Sequence, residues 1–132
     1  MPILVMKFGG TSVANIERIE AVAERVALCQ QDGHKLVIVV SAMSGETNRL
    51  IDLAKQILNE PEPSELDALL ATGEQTTASL LAMALLKRGV NSRSFTGSQV
   101  GLQTDSSFNK ARIKAIDANA LKNCLAEGSV AV

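Results

Sequence analysis

The sequence is poor in the residues that build metal cages and covalent staples: it has two cysteines and one histidine in 132 residues. Cys29 and Cys124 are too few and too isolated to suggest a disulfide framework or a metal site. Each follows apolar residues at helical spacing, Cys29 after Val22 and Val26 and Cys124 after Leu121, so both are expected as small buried hydrophobes. His34 stands beside Gly33 with no partner in view and is expected as a solvated turn residue. Charge of one sign is also missing. Thirteen basic residues face fourteen acidic ones, for a net charge of −1, and they are scattered, which leaves no electrostatic footprint for nucleic acid. No run reaches the roughly 18 uninterrupted apolar residues of a membrane span, and the start lacks the pattern of a secretory signal. A cytoplasmic protein with neither nucleic acid nor membrane as partner is expected. Any phosphate recognition must be local.

What is present suits one cored domain. Hydrophobic residues make up 46% of the chain, enough for one core and too little length for two. No internal repeat, low-complexity segment or linker divides residues 1–132.

Two periodicities alternate along that length. Residues 3–8 are an apolar run of strand length; Asn15 then offers a helix N-cap, and Ile16, Ile19, Val22, Ala23 and Val26 recur on one face until Gly33. "KLVIVVS" is β-branched and apolar on both faces, as in a central strand of a covered parallel sheet. The loop "SAMSGETN" leads into a second helical pattern through Leu50, Leu53, Ala54, Ile57 and Leu58, and "NEPEPS" breaks it. Ser64 is expected to cap a short helix running into Gly73, and "ASLLAMALLKRG" a buried one ended by Gly89. Met43 and Met83 are assigned to packing. "NSRSF", "RIKAID" and "SVAV" read as strands, with a helix from Ala118 to Glu127 and a Gly/Ser/Thr-rich loop over 97–105. The alternation is that of an α/β fold, a mainly parallel sheet flanked by helices on both faces. Polar loops after parallel strands gather at the sheet's carboxyl edge, where such folds bind ligands.

The loop after the first strand is the sharpest of these. In "ILVMKFGGTSV", Lys7 precedes Gly9 and Gly10. A Walker A loop places its lysine after the glycines, and a dinucleotide fingerprint needs a third glycine that is not there. What remains is a strand-terminal cation beside a turn whose backbone N–H groups can approach an anion, with Thr11 and Ser12 as further donors. The other reading of this stretch is a tight turn with a solvated lysine. Ser41, Ser44, Gly45 and Thr47 add hydroxyls and flexible backbone after the second strand. Glu74, placed just after Gly73 at an expected helix start, reads either as a capping charge or as an acceptor for a substrate ammonium.

Four blocks, "KFGGTSV" at 7–13, "VVSAMSGETN" at 39–48, "ATGEQ" at 71–75 and "SFTGSQVGLQTD" at 94–105, together resemble the amino-terminal part of the aspartokinases, in the amino-acid kinase family. The resemblance implies ATP-dependent phosphorylation of the side-chain carboxylate of L-aspartate, the entry to lysine, threonine and methionine synthesis. By position, Lys7 would contact the ATP phosphates with Gly9, Gly10, Thr11 and Ser12. Lys7 and Ser41 would be catalytic. Ser41, Thr47 and Glu74 would hold aspartate. ATP and Mg²⁺ are the implied co-substrate and cofactor, with no metal ligand assigned, and a homo-oligomer is implied. In that family further sequence completes the adenine site and leads to ACT-type regulatory domains, and none of it is visible here. The chain is therefore expected to be an incomplete kinase domain, inactive alone. Two alternatives remain: a non-catalytic folded or dimer-forming fragment, and another member of the amino-acid kinase family.

Overall fold

The structure, a computed structural model, describes residues 2–132. Four strands form one sheet: β1 (Ile3–Phe8), β2 (Lys35–Val40), β3 (Ser92–Arg93) and β6 (Val130–Ala131), in the order β1-β2-β6-β3 with every pair parallel. Parallel neighbours cannot be joined by tight hairpins, so helices make the crossovers. These are α1 (Ile16–Gln31), α2 (Glu46–Ile57), α3 (Pro63–Lys87) and α4 (Asn119–Ala126). The expected α/β architecture is present, with helices on both faces. α1 and α3 pack on one face, over Phe8, Leu36, Ile38, Val130 and Val132. α4 covers part of the other through Cys124 and Leu125 against Ala131 and Val37.

The second face is open over β1. Ile3 and Val5, which share a face with Val37 and Val39 in register, are 59% and 61% exposed. β2 is therefore central, as its β-branched sequence predicts, but only one of its faces is fully covered.

Local chemistry accounts for the ends of α1. The Asn15 side-chain oxygen accepts the Arg18 backbone N–H at 2.9 Å, satisfying one of the helix's orphan donors. After the helix, Gly33 adopts φ 91, the left-handed conformation that turns the chain toward β2.

The two helices expected on either side of Gly73 are one. α3 runs unbroken for 25 residues, with Gly73 and Glu74 in its interior. Ser64 does not cap it: Glu62 occupies that place and Pro63 the first turn, where its fixed φ and missing N–H cost nothing. α3 is long and apolar enough to cross a membrane by length and composition, yet Leu81 and Leu85 are fully buried in this core. α2 begins at Glu46, so Thr47 lies in its first turn rather than in a loop. Of its apolar stripe only Leu50 is buried, and Ile57 is 89% exposed.

β4 (Leu102–Thr104) lies within the segment expected as loop, and β5 (Ile113–Ile116) is the strand expected from "RIKAID". They pair antiparallel with a bulge at Gln103/Thr104 and form a hairpin separate from the main sheet. Asn109, at φ 69, sits at its tip and donates its backbone N–H to Asp67 on α3. At its base, Asp117 N–H donates to the Gly101 carbonyl at 2.9 Å, so close that a β-carbon on Gly101 would lie 2.3 Å from the Asp117 carbonyl oxygen.

Smaller expectations divide. Cys124 is buried, and burial pushes its thiol above the usual range; Cys29 is half-buried against the core. Met43 packs as expected, whereas Met83 points outward, 61% exposed. His34 is half-buried and has a partner after all: Nδ1 lies 3.3 Å from the Cys29 carbonyl oxygen.

Candidate functional site

Because all four main strands run the same way, their carboxyl ends share one edge. Lys7 is the penultimate residue of β1, in register with Val39, and its side chain is exposed. No acidic residue pairs with it among the described residues. The turn that follows closes through Ser12 N–H to the Gly9 carbonyl at 3.0 Å and Val13 N–H to the Gly10 carbonyl at 3.3 Å. Both donors come from the far side of the turn, so the N–H groups of Gly9, Gly10 and Thr11 are not spent inside it. Nothing lies within 4 Å of where a Gly9 β-carbon would be, so space is open there.

The second loop is tied directly to the first. Ser41 N–H donates to the Phe8 carbonyl at 3.2 Å, extending the β1–β2 pairing to the base of the glycine turn. Ala42 then presents its carbonyl oxygen to Gly10, 3.4 Å from the position of a β-carbon there. On its other side, the Ala42 methyl faces Gly73, where a β-carbon would approach it to 3.0 Å. Thus the turn after β1, the loop after β2 and the middle of α3 meet at one small residue. Composition and spacing gave no signal for Ala42, because its importance lies in how little room it takes.

Glu74, the next residue, is exposed. Its interior position in α3 removes the helix-cap reading, which required a helix start. Glu46, the other carboxylate nearby, is committed: Arg49 Nε and Nη2 donate to its two oxygens at 2.9 and 2.6 Å. That hydrogen bonding holds the Glu46 carboxyl below its usual range. Glu74 has no such partner among the described residues. Thr47 is exposed in the first turn of α2, whose N-terminal end carries positive dipole character.

Two separate cavities take different members of the expected set. Glu74 lines a largely apolar hollow of about 650 Å³ with Val37, Val39, Phe95, Thr96, Gly97, Leu102 and Ile116, roofed by the hairpin. Lys7 and Ser12 line a separate depression of about 400 Å³ between β1 and α1, with Arg18 and Arg25 on its wall. Thr11 is exposed and Ser12 half-buried. Neither arginine was singled out by sequence, since each reads as a solvated position on α1.

The "SFTGSQ" block is a structural device. Thr96 N–H donates to Gln99 Oε1 at 2.9 Å, and Gln99 N–H donates to Thr96 Oγ1 at 3.2 Å. This reciprocal pair fixes the turn that sets Thr96 and Gly97 against the larger hollow. Among the described residues, no group of three or more His, Cys, Asp or Glu side chains is arranged to hold a metal ion.

The chain is matched over residues 2–132 by the sequence profile of the amino acid kinase family. It is 60% identical over 132 residues to an aspartate kinase of Pseudomonas putida, covering all of this chain and 32% of that protein. The chain thus spans about a third of the length of that relative. Among solved structures it is similar to aspartate kinase from Synechocystis, with TM-score 0.84 and 44% identity, over 100% of this chain and 21% of the other. It shares its fold with E. coli aspartokinase III in complex with aspartate and ADP, with TM-score 0.83 and 22% identity, over 99% of this chain and 40% of the other.

Proposed function

The chain belongs to the amino acid kinase family, and from that premise we propose that it supplies the phosphate-binding edge and the ammonium acceptor of an aspartate kinase. The reaction is transfer of the γ-phosphoryl group of ATP to the side-chain carboxylate of L-aspartate. A carboxylate oxygen bonds to the γ-phosphorus as the bond to the β–γ bridging oxygen breaks. ADP leaves with the electron pair, and 4-phospho-L-aspartate forms.

The chemistry asks little of proton transfer. The acceptor has a reference pKa of about 3.9 and is already an anion at neutral pH, so no general base is needed. The difficulty is bringing two anions together, and the remedy is alignment with fixed positive charge. Lys7, exposed at the end of β1 beside the unspent N–H groups of the Gly9–Gly10 turn, meets that need for the phosphates, with Thr11 and Ser12 as further donors. Ser41 stands next to that turn through its bond to Phe8. Thr47 and Glu74 receive aspartate, Glu74 being the carboxylate that Arg49 does not occupy. Mg²⁺, when bound, neutralises phosphate charge; the described residues do not gather a ligand set for it, and we assign it to the nucleotide rather than to this chain.

The observation that carries this reading is the meeting of the three segments at Ala42. The 132 residues alone are proposed to bind without turnover, in a cytoplasmic protein that assembles into homo-oligomers; exposed Leu53 and Ile57 on α2 and Leu58 just after it favour such assembly. The test is a chimera in which this chain replaces the matching segment of the Pseudomonas putida relative. Release of ADP that requires both ATP and L-aspartate supports the reading. A chimera that folds and uses ATP with another acceptor instead would sink it.

A further inference from the structure

After proline, glycine is the poorest residue for a helix interior, and Gly73 stands near the centre of α3. Its backbone does not ask for glycine, since its φ is not positive. Its neighbour does. A β-carbon at Gly73 would come within 3.0 Å of the Ala42 methyl, and within 3.7 Å of both Glu46 Cγ and Leu50 Cδ1. Carbon atoms in contact normally stand roughly 3.5–4.0 Å apart.

We propose that Gly73 is a positioning residue. By letting α3 lie directly on Ala42, it fixes the separation between Glu74, the next residue, and the segment that carries Ser41 just after β2 and Thr47 in the first turn of α2. The inference rests on the reading of Glu74 as the ammonium acceptor and adds to it how the acceptor is held in place. Ala42 is pinned from the other side, where its carbonyl oxygen faces Gly10, so it cannot retreat without disturbing the glycine turn. Added bulk at Gly73 therefore displaces α3 outward, and Glu74 with it. A misplacement of about 1 Å can cost on the order of a hundredfold in rate, so a shift of a few tenths of an ångström is expected to cost about tenfold.

Helix propensity and positioning then act with opposite signs. Gly73→Ala improves the helix while spoiling the site. In the chimera described above, it is expected to lower kcat/KM for aspartate about tenfold, with KM for ATP unchanged and Tm little changed, because overpacking against Ala42 offsets the gain in helix propensity. Adding Ala42→Gly removes the methyl that the new side chain strikes, so the double variant is expected to regain more aspartate kcat/KM than the two single changes predict. A Gly73→Ala enzyme within twofold of the parent overturns the proposal. So does a double variant with no such coupling, or a loss explained by a lower Tm with the aspartate dependence of the folded fraction intact. Glu74→Ala separates the two layers. If it leaves aspartate use unchanged, the ammonium reading fails and takes this inference with it; if it abolishes aspartate use while Gly73→Ala does nothing, only the positioning fails.

Discussion

The backbone N–H of Asn109 donates to the carboxylate of Asp67 at 2.8 Å, across 42 positions of chain. It ties the tip of the β4–β5 hairpin to α3, although the hairpin shares no strand with the main sheet. Hydrogen bonds to a charged acceptor are stronger than neutral ones, and Phe108 and Ile113 at this end of the hairpin are exposed rather than packed.

Asp67→Ala is therefore expected to loosen the hairpin while leaving the core intact. Trypsin should cut after Lys110 and Arg112 faster in this variant, with Tm little changed. Asp67→Asn, which keeps an oxygen acceptor without the charge, should fall between. Equal cutting rates in all three proteins would show that the contact does not restrain the tip.

A second expectation concerns pH. Glu20 on α1 accepts from Lys87 Nζ at 3.1 Å and Arg88 Nη2 at 3.5 Å at the end of α3. Hydrogen bonding from Lys87, with the nearby positive charges, holds its carboxyl below the usual glutamate range. A folded-state pKa below the unfolded one adds stability that is present above the unfolded value and is lost as pH falls through the folded one. The Tm advantage over Glu20→Gln should thus be seen at neutral pH, vanish in acid and shrink in high salt. The effect should be small, since the pair is exposed. An advantage that persists below the carboxylate range would assign it to packing of the side chain instead.

Lys7→Ala is expected to lower kcat in the chimera by roughly a hundredfold or more, the scale of removing one preorganised donor to a transition state. Its exposure means that Tm should hardly move. Lys7→Arg should not restore full activity, because a forked guanidinium is larger than an ammonium. Near-normal kcat at saturating ATP and aspartate in Lys7→Ala would return this residue to the solvated-turn reading.

Glu74→Ala should weaken aspartate use by about 1–3 kcal/mol with ATP binding unaffected, the cost of leaving a charged group unpaired. Because Glu74 lies in a helix interior and is exposed, Tm should hold or rise slightly. A drop in Tm without a change in aspartate dependence would assign Glu74 to the helix alone.

These positions show how far sequence carries. β1, α1 and β2 were legible because a β-branched run, Asn15 and a regular apolar stripe each depend on local rules. The site loops were legible as places, since parallel strands must end together. The continuity of α3 was not, because Gly73 is a poor local choice that a distant methyl explains. The hairpin was half hidden: its first strand sits in polar, glycine-rich sequence, and Asp67 and Asn109 carry no mark of each other. On α2 the stripe through Leu53 and Ile57 was real, but among the described residues only Leu50 of that helix is buried.

The order of the main sheet constrains how the protein can be assembled during synthesis. Within the described sheet β3 pairs with β6 alone, and β6 sits between β3 and β2. When Ser92 and Arg93 have been made, the strand that will receive them is still 37 residues away in sequence, so they cannot pair before Val130 and Ala131 have been made. Pairing of β6 is thus what joins β3 to the β1–β2 pair. Interrupting it leaves the β1–β2 pair without its third and fourth strands, a long-range topology of the kind that folds slowly and exposes unpaired edges meanwhile.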